Sequence, residues 1–129
     1  MKKVFLGGTC NGSLWREKLI PLLKINYFNP VVPNWTPECQ QREIDERETS
    51  DFCLYVITPK MTGVYSIAEV VDDSNKRPSK TVFCFLSDDG DSKFETHQLK
   101  ALTQVGKMVR NNGGKGFNTL EEVATFLNS

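Results

Sequence analysis

Carboxylates stand on both sides of one strongly apolar segment, "FCLYVIT" (52–58). Glu69 follows it inside the stretch "PKMTGVYSIAEVV", and a polar stretch before it supplies further carboxylates, among them Glu43, Asp45, Glu46 and Glu48. Two carboxylates at one cleft are what glycosyl transfer needs, one as nucleophile and one as proton donor or positioning group. We therefore predict catalytic roles for Glu69, as the nucleophile, and for Glu43 or a neighbouring acid.

Glu69 also has a simpler interpretation. Ser66 and Glu69 have the S-x-x-E spacing of a capping box, in which the glutamate accepts a hydrogen bond from the main-chain N–H of the serine. A helix N-terminus would in addition stabilise the ionised form of Glu69, which suits a nucleophile at neutral pH. The capping role and the catalytic role both remain open at this stage.

A glycine-rich loop, "GGTCNGS" (7–13), follows the first predicted strand. Such a loop can present main-chain N–H groups to the sugar or phosphate end of a ligand, so we predict that four of its residues bind substrate: Gly8, Thr9, Cys10 and Asn11. The loop is neither a GxGxxG motif nor a Walker motif. The alternative is a tight turn that needs glycine for its positive φ angles.

Two further loops carry candidate ligand contacts. Trp35 lies in "NPVVPNW" (29–35), where it either packs on the domain or stacks on a flat ring. The loop "TPKMTGVYS" (58–66) follows the apolar segment. Its candidate substrate-binding residues are Thr62, Gly63, Tyr65 and Ser66.

The elements that must position these loops alternate between strand and helix. Apolar runs predict strands at "KKVFLGG", "YFNPVV", "FCLYVIT" and "TVFCFL", with a further small strand near Phe117. Helices are predicted between them, with caps at Ser13, Thr36 and Thr119 and a break at Pro21. This order implies an α/β fold with a parallel sheet covered on both faces. Ligands bind at the carboxyl edge of such sheets, where the three loops meet.

Composition limits the remaining possibilities. The 129 residues fit a single domain, with 16 basic and 16 acidic residues. The absence of a basic stripe argues against a nucleic acid polymer as partner, and no run is apolar enough to span a membrane. We expect a cytoplasmic protein. Cys53 and Cys84 lie in apolar runs and are predicted to be free core thiols, and no cysteine or histidine spacing indicates a metal site.

With these features the chain resembles the nucleoside 2-deoxyribosyltransferase superfamily, including its nucleotide N-glycosidase branch. The resemblance covers most of residues 3–90, from "VFLGGT" through "SDFCLYVITP" to "GVYSIAE". The family has an aspartate at the start of the central strand and a nucleophilic glutamate 18 residues later, as Asp51 and Glu69 are here. Glu43 stands eight positions before Asp51, where the family has an acidic residue.

The resemblance implies a single flavodoxin-like three-layer domain over residues 1–129, with four to five strands. It also implies a mechanism without cofactor, in which the glutamate attacks C1′ of a 2′-deoxyribose and displaces the base. A nucleoside or nucleotide is the implied partner, in a homo-oligomer for which the C-terminal helix is a candidate interface. The sequence departs from the family at two places. Gly63 stands where transferases carry aspartate and hydrolases tend to carry serine, and Val70-Val71 replaces the hydrophobic-Gly pair after the glutamate.

Three hypotheses follow. The chain is an enzyme that cleaves or exchanges an N-glycosidic bond, a non-catalytic nucleotide-binding or sensing module on the same fold, or another hydrolase with Cys10 or Ser66 as nucleophile. The third lacks a base near either side chain, because His97 is the only histidine and lies on a later predicted helix.

Overall fold

The computed structural model describes residues 1–10 and 12–129, and its centre is a parallel sheet of five strands. The strand order is β2-β1-β3-β4-β7, so the chain first adds strands on one side of β1 and then crosses to the other. This confirms the predicted α/β sandwich with a flavodoxin-like order. The strands are β1 (Lys3–Gly8), β2 (Asn26–Phe28), β3 (Phe52–Ile57), β4 (Thr81–Phe85) and β7 (Lys115–Phe117).

Helices cover both faces of this sheet. They are α1 (Trp15–Leu19), α2 (Pro37–Thr49), α3 (Tyr65–Lys76), α4 (Thr96–Asn111) and α5 (Leu120–Asn128). A short antiparallel hairpin, β5 (Asp88–Asp89) with β6 (Ser92–Lys93), separates β4 from α4. The strand near Phe117 is present as β7, which makes the sheet five-stranded.

Alternation along the central strands divides the core into two layers. Leu54 and Val56 of β3 face α1 and α5, whereas Cys53, Tyr55 and Ile57 face α3 and α4. Because both faces of β3 are covered, the strand consists almost entirely of apolar residues. Reactive side chains near β3 therefore have to come from the loops and helices at the carboxyl end of the strand.

Several predicted helix boundaries are confirmed. Thr36 caps α2, accepting a hydrogen bond from the Cys39 N–H, and Pro37 is the first helical residue. The α-helical part of α1 ends before Pro21, which lies in a short 3₁₀ turn. Thr119 caps α5 through the Glu122 N–H, and Glu122 in return accepts from the Asn118 N–H.

The predicted cap at Ser13 is wrong. Helix α1 begins at Trp15 with Leu14 as its N-cap, and no side chain caps it. The Ser13 hydroxyl instead donates a hydrogen bond to Asp89 of the hairpin. A contact across 76 residues has taken the hydroxyl that a local cap would have used.

Cys53 and Cys84 are free and buried, as predicted for core thiols. Across the described part of the chain, no helix combines the length and apolarity needed to cross a bilayer.

Candidate active site

The carboxyl edge of the sheet contains a cavity of about 150 Å³ that both Glu43 and Glu69 line. We call it the carboxylate cavity. Helix α2 supplies Glu43, α3 supplies Glu69, and the end of β1 supplies Gly8 to its wall. The sequence predicted that the two carboxylates would share a cleft at this edge, and the geometry brings them together.

A second cavity adjoins the first through Gly8, Cys10 and Ser66, which line both. This loop cavity has a volume of about 270 Å³ and lies between the loops that follow β1 and β3. Most of the predicted ligand contacts of those two loops line it: Gly8, Thr9, Cys10, Thr62, Gly63, Tyr65 and Ser66.

A third cavity, of about 320 Å³, adjoins the carboxylate cavity on the other side through Pro30 and Glu43. We call it the aromatic cavity because Tyr27 and Phe28 line it, and the Arg42 guanidinium lies 4.9 Å from the centre of the Phe28 ring. The carboxylates thus occupy the middle of a cleft with a polar loop at one end and aromatic rings at the other. That arrangement fits a ligand with one flat end and one polar end.

Glu69 does not cap its helix, so the capping interpretation is wrong. Helix α3 begins at Tyr65 with Val64 as its N-cap, which makes Ser66 the second helical residue and Glu69 the fifth. A capping box needs these residues at the N-cap and third positions. The Glu69 carboxylate instead pairs with Arg47 of α2, at 3.4 Å between Nη1 and Oε2, and only 17% of its side chain is exposed.

The electrostatic prediction for Glu69 is wrong as well. Burial raises the pKa of Glu69 to about 7; Arg47 opposes this shift, while Glu43 and Asp73 add to it. The helix N-terminus does not hold the carboxylate ionised, because Glu69 lies beyond the first turn, where the dipole acts. Burial also raises the pKa of Glu43, against the effect of Arg47. The cavity therefore holds two carboxyl groups that resist ionisation, with Arg47 in contact with Glu69.

The glycine-rich loop uses more of its polar groups in hydrogen bonds within the domain than predicted. Gly8 has a φ of +119°, and a Cβ there would lie 2.1 Å from the Val56 carbonyl oxygen. The Thr9 N–H donates to that carbonyl, and the Thr9 hydroxyl accepts from the Thr58 N–H. The Thr9 N–H is therefore not available to a ligand, although Thr9 lines the loop cavity.

Hydrogen bonds from Arg16 hold this loop in place. Its guanidinium is buried and donates to the carbonyls of Leu6, Gly8 and Thr9. It also lines the carboxylate cavity and lies beside Cys10. Neither its burial nor its role was predicted, because Glu17 and Lys18 beside it made the arginine read as one of several surface charges.

Two predicted or implied positions, Trp35 and Asp51, lie outside the cleft. Trp35 is 57% exposed, so it does not pack on the domain, and it lines none of the cavities described above. Asp51 stands at the opposite, amino edge of the sheet, where it accepts a hydrogen bond from the Lys3 N–H. Asn11 lies outside the described residues.

The ionic network behind Glu69 was not predicted. Arg47, Asp73 and Tyr55 belong to three different elements and meet beneath the cavity floor. The available signal was the four-residue spacing of Glu69 and Asp73, which places both on one face of α3.

The fold and the cleft define a flavodoxin-like α/β protein with a pair of carboxylates at the ligand edge of its sheet. A family model described as "Nucleoside 2-deoxyribosyltransferase like" matches residues 1–88, which include every strand and helix that lines the cleft, and the chain belongs to that family. No curated protein and no solved structure matches it. Membership supports a small nucleoside-type molecule as the kind of ligand.

Proposed function

We propose that the protein cleaves or exchanges the N-glycosidic bond of a deoxynucleoside or its 5′-monophosphate through a covalent glycosyl ester on Glu69. One observation carries this proposal: Glu43 and Glu69 approach the same cavity from different helices. Two carboxyl groups in unlike environments are the usual means of dividing nucleophile and acid roles at one anomeric carbon. Family membership supports the class of substrate.

The contacts of Glu69 favour it over Glu43 as the nucleophile. Burial raises the pKa of both groups, that of Glu69 to about 7, and Arg47 opposes both shifts. Glu69 has an ion-pair partner in Arg47, which favours a negative charge on Glu69. Because the two groups interact, they titrate as a pair. The reactive form has one proton on Glu43 and the charge on Glu69.

The first step forms a bond between a Glu69 oxygen and C1′ of the sugar. The C1′–N bond breaks, its electron pair goes to the base nitrogen, and Glu43 supplies a proton to the departing base. In the second step water or another base attacks C1′. The electron pair of the ester bond returns to Glu69, and the proton of the nucleophile passes to Glu43.

The cleft accommodates the three parts of such a substrate. The sugar lies in the carboxylate cavity, against Glu69. The aromatic cavity suits the base, because Tyr27 and Phe28 offer flat apolar surfaces beside Arg42. The loop cavity then receives the 5′ end, beside the exposed Cys10 and the loop that contains Gly63.

Release of free base tests this function. Wild type is incubated with 2′-deoxynucleosides and their 5′-monophosphates, and the base is quantified by chromatography. Glu69→Gln is expected to lower the rate by several orders of magnitude, because an amide is a poor nucleophile. Glu43→Gln is expected to cost about 10²- to 10⁴-fold, the usual value of a positioned acid.

Glu48→Gln is the matched control, because Glu48 is an exposed acid on the same helix as Glu43, and its contact with Lys80 is made by the main-chain carbonyl, which the substitution keeps. It should retain the wild-type rate. Base release at the wild-type rate by Glu69→Gln would contradict the role of Glu69 as nucleophile, whereas no base release by wild type would favour a nucleotide-binding module. A loss of base release in Glu69→Gln, which keeps both Cys10 and Ser66, would count against either of them as the nucleophile.

A further inference from the structure

Arg47 connects the candidate nucleophile to a fully buried carboxylate. Its Nη2 lies 2.8 Å from Asp73 Oδ1 and its Nε lies 3.4 Å from Asp73 Oδ2, so Asp73 grips the guanidinium at two points. The remaining terminal nitrogen, Nη1, lies 3.4 Å from Glu69. One arginine side chain, 14% exposed, thus bridges two carboxylates that are one helical turn apart on α3.

Asp73 is itself fixed from other elements. The Tyr55 hydroxyl on β3 donates a hydrogen bond to Asp73 Oδ2. Arg77, after the end of α3, places Nε 3.2 Å from Oδ1 as an ionic contact. Because the Asp73 side chain is completely buried, these partners hold it in one orientation. A bidentate contact to such an anchor fixes the plane of the Arg47 guanidinium.

Several charged groups act on Glu69 at this point. Arg47 and Glu43 face it from α2, Asp73 lies on its own helix, and Tyr55 approaches from β3. Asp72 lies 3.8 Å from the same arginine, and Arg16 of α1 lines the same cavity. Among these groups Arg47 alone is a cation in direct contact with the Glu69 carboxylate.

Neutralisation of Asp73 does not account for the placement of Arg47. Asp73 already has Arg77 and the Tyr55 hydroxyl as partners. The extra contact of Arg47 reaches towards Glu69, which has no other ion-pair partner in residues 1–10 and 12–129. Asp73 therefore fixes one side of the Arg47 guanidinium, and the remaining nitrogen, Nη1, lies against the Glu69 carboxylate.

We propose that Arg47, held by Asp73 and Tyr55, is a positioning residue that orients the Glu69 carboxylate towards the sugar and favours its ionised form. This inference rests on the proposed function of Glu69. Arg47 acts through Glu69 and not on the substrate, since it lines none of the three cavities.

The test compares Arg47→Gln, Arg47→Lys and Arg77→Gln with wild type. Arg77→Gln is the matched control, because it also removes one positive charge from Asp73 but has no contact with Glu69. For each folded protein, kcat and KM for base release are measured across pH. In parallel, the titration of the Glu69 carboxyl is followed by carbon-13 NMR, with the signal assigned from its loss in Glu69→Gln.

For Arg47→Gln we expect kcat to fall on the order of 100-fold, the cost of misplacing a reacting group by about 1 Å, with KM little changed. The NMR midpoint of Glu69 and the acidic limb of the kcat profile should both move to higher pH, because a cation that favours the carboxylate has been lost. Arg47→Lys should restore the midpoint through its charge but recover kcat only in part, because an ammonium group lacks the two-point contact. Arg77→Gln should leave both pH values unchanged.

An unchanged Glu69 midpoint in Arg47→Gln would overturn the inference. So would a rise in KM alone, or equal pH shifts in Arg47→Gln and Arg77→Gln. If Arg47→Gln does not fold, Arg47→Lys and Tyr55→Phe carry the test, and an unchanged kcat in both would also overturn it. Failure of the proposed function is distinguishable, because wild type would then release no base while the NMR titration still reports on Arg47.

Discussion

At the scale of single residues, the site depends on how Glu69 is charged. The pKa of Glu69 rises to about 7 although an arginine lies beside it, so burial outweighs the ion pair. A carboxylate of this kind is partly ionised near neutral pH and easily shifted by its neighbours. The burial that raises the pKa of Glu69 also lowers the free energy of unfolding when the carboxyl group is ionised.

That cost yields a prediction about stability. The folded pKa of about 7 lies above the ordinary value of 4.5, so the free energy of unfolding falls as pH rises from about 4.5 to about 7 and stays lowered above that. Glutamine does not ionise. We expect Glu69→Gln to be more stable than wild type above about pH 7, by up to about 3 kcal/mol, with the difference vanishing towards about pH 4.

Urea unfolding of the two proteins at several pH values measures this difference, with Glu48→Gln as the control that should follow wild type. If wild type is instead the more stable protein at about pH 8, the Arg47 ion pair outweighs burial, and our account of the charge on Glu69 is wrong.

At the scale of elements, the site is built by two facing helices and one strand end. Helix α2 carries Glu43 and Arg47 one turn apart, and α3 carries Glu69 and Asp73 with the same spacing. The sequence pattern identified both helices and the carboxylates on them. It did not identify Arg47, because its partner Asp73 lies 26 residues away and no local period records that pairing.

The helix boundaries show the same limit of local sequence patterns, which do not record distant contacts. The predicted caps Thr36 and Thr119 are confirmed, because no distant group within residues 1–10 and 12–129 competes for their hydroxyls. Ser13 and Ser66 had equally good local spacing but are not caps. For Ser13 the reason is the hairpin carboxylate of Asp89, whose position depends on the fold.

The end of β1 yields a second prediction. Gly8→Ala would place a Cβ 2.1 Å from the Val56 carbonyl at a φ that L-residues rarely adopt, so β1 and β3 would have to separate. We expect a loss of at least about 2 kcal/mol in the free energy of unfolding, together with loss of base release.

Gly63→Ala is the matched control in the neighbouring loop, because a Cβ there has no heavy atom within 4 Å and its φ is ordinary. It should change stability by no more than about 0.5 kcal/mol. Equal effects of the two substitutions in chemical denaturation would mean that the close approach of β1 to β3 is not what fixes the loop.

At the scale of the whole molecule, the order of strands brings the site together. Alternating strands and helices predicted a parallel sheet, and the position of unusual loops predicted its carboxyl edge as the ligand edge. The exposure of Trp35 and the hydrogen bond between Thr9 and Thr58 were not predictable, since both depend on how the loops pack. Oligomeric state and location in the cell stay predictions.

The covalent step is the central claim, and peptide mapping by mass spectrometry tests it most directly. Wild type is mixed with a 2′-deoxynucleoside 5′-monophosphate, quenched rapidly in acid and digested, and the peptides are mapped. Our account predicts the added mass of a deoxyribose phosphate on the peptide that contains Glu69, lost in Glu69→Gln. An adduct on another residue, or base release by Glu69→Gln at the wild-type rate, would contradict it.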